Sequence, residues 1–321
     1  MKTISSQLTD LPTRQFANSP ILPFDFSYCF HILTCMITIP SYQSTIKELK
    51  TCYNTHADKF SSTRKKHRPE LTWILSHIKT LSTQPTIQNN SINFSKKSKK
   101  DTNTDHGLHI IDLGCGDRLY NYLTQAQVPI ISYTGIDISD QLIAKAKESI
   151  DDTPASRIID DMIHGLSQIS DESIDVIISH ASFQHLPDIH SRTIVLQHIY
   201  RVLRYGGKYI TVDRSRSLRM IKKHRKPLLQ ALRTSLLSGK NQRNNLMIPF
   251  SNGEEDKNQS YDRLYHIFTR PELHTLLQLN SFVIEEIAYS NQNGKFHHNR
   301  QEARNICTVV RKDIFVNPQS S

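Results

Sequence analysis

Glycine is scarce in this chain: only 10 of its 321 residues. Two of them, Gly114 and Gly116, stand one residue apart in "HIIDLGCGDRLY" (109–120), which marks a backbone that a side chain would obstruct. Cysteine is scarce too. The five cysteines, Cys29, Cys35, Cys52, Cys115 and Cys307, lack metal-ligand spacing, and their odd number excludes complete internal pairing. A reducing, cytoplasmic setting is the expectation. Long apolar runs are missing: "SYCFHILTCMITI", near the start, is too short to span a bilayer and lacks the flanks of a secretory signal. No membrane partner is expected. Acids are absent from Arg214 through Gly253, where ten basic residues stand, as many as the formal net charge of +10. That imbalance favours a polyanionic partner or an anionic surface.

Residues 1–43 are read as a disordered tail; its first 35 residues, rich in Ser, Thr and Pro, leave Met36 as an alternative start. Apolar residues Ile46, Leu49, Tyr53, Ala57 and Phe60 recur at helical spacing, and a second helix opens after Pro69, so 44–81 reads as an N-terminal helical piece with a packing role. Residues 82–106 lose that period and gain Ser, Asn and Lys, as a polar linker does.

From 107 to 313 short apolar runs alternate with helical periods. "LHIIDL", "ISYTGID", "SRIID", "IDVIISH" and "KYITVD" read as strands, and the segments between them as helices. Crossover units of this kind build an α/β fold: a Rossmann-like, doubly wound, mostly parallel seven-stranded sheet with helices on both faces. The helix before "KYITVD" is expected to stop at Tyr205-Gly206-Gly207. Residues 214–262 are a basic insertion or lid after strand five, and 314–321 a tail.

In such a sheet ligands sit at the carboxyl ends of the strands, which is where Gly114 and Gly116 fall. A nicotinamide site asks for a third glycine, but its position holds Leu119. Three acids follow in order: Asp112, Asp137 ending the second strand, and Asp160 or Asp161 after the third. A carboxylate ending the second strand matches a ribose diol, and one after the third can accept an adenine amino hydrogen.

"IIDLGCGD", "GIDIS", "DDMIHGLSQISDESIDVIISHASFQHL" and "IYRVLRYGGKYI" resemble, across roughly 106–213, the class I S-adenosylmethionine-dependent methyltransferases with the methyltransferase type 11 domain. The resemblance implies S-adenosyl-L-methionine as cofactor, Asp112, Gly114 and Gly116 around its methionine moiety, Asp137 at the ribose, Ile138 against the adenine, and Asp161 with Met162 at the adenine rim. Arg118 replaces a glycine common in relatives. His180 and His185, beyond the fourth strand, are candidate catalytic residues, with base, orienting and structural roles all open.

Flanking segments add a narrower resemblance. "YNTHADKFSSTR" (53–64), "RPELTWIL" and "RLYHIFTRPELHTLL" (263–277) are similar to the tRNA enzymes that esterify wobble 5-carboxymethyluridine. That family has an Asn-Trp pair where this chain has Asn305-Ile306. The resemblance implies tRNA as substrate, a small accessory subunit as a partner, and Arg263, Tyr265 and His266 at the substrate. Arg219, Lys222 and Lys223 in "RSRSLRMIKKHRK" suit phosphate contacts, which "RKKHR" (64–68) and "KKSKK" (96–100) could extend. Tyr265 and His266 could equally be packing. A small-molecule methyltransferase and a catalytically silent RNA- or partner-binding protein are the alternative functions, because one fold serves many acceptors.

Overall fold

The computed structural model describes residues 40–62, 69–82, 107–148, 155–238, 243–250, 261–291, 293, 295–297 and 299–313. Residues 1–39, 83–106 and 314–321, "RKKHR", "KKSKK", Cys29, Cys35 and Met36 lie outside them; the expected tail over 1–43 is corrected at its end, where a helix already begins at Pro40.

Three helices come first: α1 (Pro40–Thr55), α2 (Ala57–Ser62) and α3 (Pro69–Ser82). The expected first helix is thus split at His56, although Phe60 N still donates to His56 O. Alternating units follow: β1 (Leu108–Leu113), α4 (Leu119–Gln125), β2 (Ile130–Asp137), α5 (Asp140–Glu148), β3 (Ala155–Ile159), α6 (Met162–Ser167), β4 (Ile174–His180), a 3-10 turn (Phe183–His185), α7 (Ile189–Val202) and β5 (Leu203–Arg214). Then come α8 (Leu218–Lys223), α9 (Arg225–Ser238), β6 (Asn245–Pro249), β7 (Asp262–His266), α10 (Arg270–Leu279), β8 (Phe282–Ser290), β9 (Phe296–His297) and β10 (Asn305–Lys312).

The large sheet runs β3-β2-β1-β4-β5-β10-β8-β9. Its first five strands are parallel, and β10 is antiparallel to both β5 and β8. Seven strands match the expected doubly wound sheet, and the eighth is the two-residue β9. Strand order reverses between β1 and β4, so the chain leaves these neighbours in opposite directions and opens a crevice at their carboxyl ends.

On one face α3 and α4 bring Trp73, Ile74, Ile78, Leu119 and Leu123 against Ile110, Val176, Ile178, Ile210 and Val309. Each such buried side chain contributes about 1.5–3 kcal/mol. This layer fixes the strand ends that carry the polar residues.

The stop of the fourth-strand helix is corrected. α7 ends at Val202, and Leu203 already pairs with Ile174. The register shift after it accommodates Gly206, whose φ is +81°. No helix among the described residues is long and apolar enough to cross a membrane.

Candidate functional site

The turn after β1 answers the glycine question in two ways. Gly114 has φ +69°, and a Cβ on it would fall 2.4 Å from Ser182 Cβ. Gly116 has φ +51°, but its Cβ would meet only Phe60, at 3.7 Å. The left-handed backbone is required at both, and close approach only at Gly114. Gly114 N donates to Ile136 O at 2.7 Å, and Gly116 N to Asp137 Oδ2 at 2.9 Å.

Asp137 is buried at the end of β2, and its Oδ1 accepts Ser139 N at 2.9 Å. One carboxylate thus joins the glycine turn to the turn after β2. Asp112 is also buried, accepts Tyr133 OH at 2.7 Å, and is pushed up to about 7, chiefly by burial.

Two adjoining cavities open here. The larger is bordered by Gly114, Asp137, Ile138, Asp160, Met162, His180, Ala181, Ser182 and His185. The smaller is bordered by Asp112, Gly114, Gly116, Asp117, Arg118 and His180. Gly114, Phe60 and His180 belong to both. Ala181 has φ +63°, a costly conformation for a residue with a Cβ and one that clusters at functional sites.

Asp161 has a different first task from the one expected of it. Its Oδ1 accepts Ile163 N at 2.8 Å and His164 N at 3.1 Å, capping α6, and also Tyr42 OH at 2.7 Å. Its Oδ2 lies 2.6 Å from His164 Nδ1. Asp160 and Met162, on either side, border the cavity.

Periodicity gives α1 and α2 a packing role; the structure makes them a wall of the site. Tyr42, Ile46, Leu49, Tyr53 and Phe60 border the larger cavity. Asn54 Oδ1 accepts Ser139 Oγ at 2.7 Å, and its Nδ2 donates to Asp140 Oδ1 at 2.8 Å. Arg118 donates through Nη2 to Ser61 O at 2.6 Å, an otherwise terminal carbonyl of α2. The arginine in the glycine's place therefore tethers that wall. Tyr42, Asn54 and Ser139 escape a sequence reading because their partners are remote in the chain.

His185 is held at both ring nitrogens. Its Nδ1 lies 2.6 Å from Leu264 O, so that nitrogen carries a proton, and Nε2 lies 3.0 Å from Tyr53 OH. His180 borders both cavities and holds the more central position. His266 stands in the packing role left open for it: Nδ1 is 2.7 Å from Asn245 Oδ1 and Nε2 2.6 Å from Glu272 Oε1, the acid that completes the capping box of α10. Tyr265 is buried with its ring 4.7 Å from that of His185. Arg263 lies 5.9 Å from the Tyr53 ring centroid and 5.2 Å from that of Tyr265. Arg219, Lys222 and Lys223 are exposed on α8 and do not border either cavity.

Residues 111–211 match the family model described as the methyltransferase domain. The chain is 29% identical over 100 residues to malonyl-[acyl-carrier protein] O-methyltransferase 1 of Ilyobacter polytropus, covering 31% of this chain and 35% of that protein. It is 23% identical over 128 residues to demethylmenaquinone methyltransferase of Listeria welshimeri, covering 39% and 52%. The chain therefore spans only part of the length of these curated relatives. A solved SAM-dependent methyltransferase from Methanosarcina mazei shares the fold, with TM-score 0.52 and 19% identity over 65% of this chain and 94% of that one. S-adenosylmethionine is the cofactor of this domain, and the residues fit it: a turn with glycines on either side of the buried Cys115, a buried acid at the second strand end and an adjoining cavity with two further acids, Asp112 and Asp117.

Proposed function

We propose that this chain, which carries a methyltransferase domain over residues 111–211, transfers the methyl group of S-adenosylmethionine to a carboxylate, and that the carboxylate belongs to a wobble 5-carboxymethyluridine of tRNA. The observation that carries the reading is the meeting of Tyr53, His185, Arg263 and Tyr265, drawn from the two flanking segments and the turn after β4, beside the larger cavity. A carboxylate is already ionised at neutral pH and needs no base to become a nucleophile.

The cofactor, when bound, supplies an electrophilic methyl on a sulfonium. Asp137 and the Gly114–Gly116 turn hold the adenosyl and methionyl parts, while Asp112 and Asp117 border the space for the α-amino group. Ile46, Leu49, Phe60 and Leu186 give the larger cavity an apolar wall. Excluding water there favours a displacement in which an anion and a cation neutralise each other. Holding acceptor and methyl in line supplies most of the remaining acceleration. His180 and the Tyr53–His185 pair orient the acceptor.

tRNA as the carrier rests on two supports. The segments 53–64 and 263–277, distant in sequence, meet where Tyr53, His185, Arg263 and Tyr265 pack together. The basic, acid-free stretch 214–253 follows β5 at the carboxyl edge of the sheet. A small-molecule acceptor is the second reading, favoured by the substrates in the relatives' names. Labelled S-adenosylmethionine incubated with tRNA lacking wobble methyl esters, then nucleoside digestion and mass analysis, tests this. A base-labile ester on a uridine derivative is expected. Label in small acids with none in tRNA would transfer the case to the second reading, and no label in any acceptor would overturn both.

A further inference from the structure

Beside the methyl-transfer cavity, the carboxyl end of β5 carries an arginine that no described carboxylate contacts directly. Arg214 ends β5 and pairs in register with Asn305, the first residue of β10. Its Nη1 donates to Asn305 Oδ1 at 2.7 Å, and Asn305 Nδ2 donates to Glu70 Oε1 at 2.7 Å. The asparagine thus orients the guanidinium and stands between it and the acid. Arg304 precedes Asn305, and its carbonyl accepts Ser215 N at 3.3 Å.

Arg263 reaches this place from β7. Its guanidinium lies 4.6 Å from the Phe250 ring centroid and close to Tyr53 and Tyr265. Among the described residues no carboxylate forms an ion pair with Arg214, Arg263 or Arg304. Burial, with the charges of Arg304 and Arg263 added and Tyr265 and Glu70 opposing, holds Arg214 below the usual guanidinium range.

Donors without acceptors surround the same strand end. Gln184 is fully buried; its Oε1 accepts Arg214 N at 2.7 Å, while its Nε2 is buried with no partner. Arg263 Nε is likewise buried and unpartnered. A buried donor left unsatisfied costs about 1–3 kcal/mol. An excess of donors and positive charge with a shortage of acceptors is what an anion site requires.

We propose that Arg214 and Arg263 form a docking site for an oxyanion of the methyl acceptor other than the oxygen that is methylated. The inference rests on the methyl-transfer reading and names what else that acceptor carries. An arginine on the attacking oxygen would stabilise the anion before transfer and lose that interaction as its charge disappears, so such a contact would oppose the reaction. A spectator oxyanion, a phosphate or a second carboxylate, gives affinity without that penalty. Loss of the site is therefore expected to raise KM with kcat nearly unchanged.

The test is direct titration of the full-length protein with inorganic phosphate and, separately, with acetate, each at constant ionic strength, followed by calorimetry. Saturable binding of at least one anion is expected, and the one that binds identifies the source. Arg214→Gln and Arg263→Gln should each weaken it by at least about tenfold. Asn305→Asp, which places a carboxylate against Arg214, should do the same. Unchanged S-adenosylhomocysteine affinity serves as the folding control, and Arg214→Lys, which keeps the charge, should retain part of the binding. A Lys147→Ala variant, which alters an exposed lysine of α5, should bind as the parent does. No saturable binding, parent-like binding in both arginine variants, or equal loss in the lysine variant would overturn the inference. Methyl transfer is not read here, so failure of anion binding sinks this inference alone. Absence of transfer to any acceptor, with anion binding intact, would sink the reading beneath it.

Discussion

At the scale of single residues, the two glycines make separable predictions. Gly114→Ala meets both a left-handed φ and the Ser182 side chain, so it should destabilise the fold by about 3 kcal/mol. Gly116→Ala meets only the φ cost and should lose about 1 kcal/mol. Urea midpoints of the two variants would show the order, and equal losses would contradict it. Asp137→Ala removes the acceptor of Gly116 N and Ser139 N together, and calorimetry should find cofactor binding abolished. Asp112 and Asp213 give the stability a pH signature. Both are fully buried, and burial pushes each up to about 7. For an acid raised above its unfolded value near 3.9, the native state holds more protons between those two values. Stability from these groups is therefore complete below about pH 4 and lost as pH rises through 7. Asp112→Asn should flatten that fall, and an unchanged slope would contradict the assignment. Asp137 and the glycines were legible because strand-end acids and paired glycines keep a fixed order along the chain. His185 and His266 were not, since only the fold reveals that Leu264 O, Tyr53, Asn245 and Glu272 use their nitrogens.

At the scale of elements, α1 and α2 depart most from what their sequence announces. Helical spacing of Ile46, Leu49, Tyr53 and Phe60 predicts an apolar stripe and says nothing about its partner. The stripe faces the cofactor cavity, and polar bonds fasten it at three places: Tyr42 to Asp161, Asn54 to Ser139, and Arg118 to Ser61 O. Tyr42→Phe and Asn54→Ala should each weaken cofactor binding by roughly fivefold, the worth of one hydrogen bond. Amides of α1 should also exchange more slowly once cofactor is added. Arg118→Gly is the sharper case. It restores the glycine that many relatives have, yet here it should lower cofactor affinity, because it releases α2. Tighter binding by that variant would show that the tether does not matter. The strand–helix alternation was readable because each strand is a short apolar run between polar turns. The end of α7 was misplaced because Gly206 serves a bulge in β5, a role that glycine spacing cannot distinguish from a helix stop.

At the scale of the whole molecule, charge and chemistry are divided between two places. Exposed cations on α8 lie away from both cavities, whereas the half-buried Arg214 meets Gln184 and the half-buried Arg263 meets Tyr265, which packs on His185. The first group should act on affinity alone. Replacing Arg219, Lys222 and Lys223 by alanine should weaken tRNA binding and reduce its log-log salt slope by up to about three, with cofactor affinity unchanged; an unaltered slope would remove α8 from the interface. The second group bears on the acceptor. The net charge was plain in the composition, but its division was not, because burial of Arg214 and Arg263 depends on β10 and on the β6–β7 pair arriving from elsewhere in the chain.

The central claim is that this cleft positions a carboxylate, an acceptor that needs no base. Its most direct test is the pH dependence of the methyl-transfer step in single turnover with the esterifiable tRNA. The rate should be level from about pH 6 to 8.5, because the acceptor is fully ionised throughout. It should also persist in His185→Gln, apart from a modest loss of positioning. A rate that climbs tenfold per pH unit, with a loss of about 100-fold or more in that variant, would show that a proton must be removed and would contradict the account.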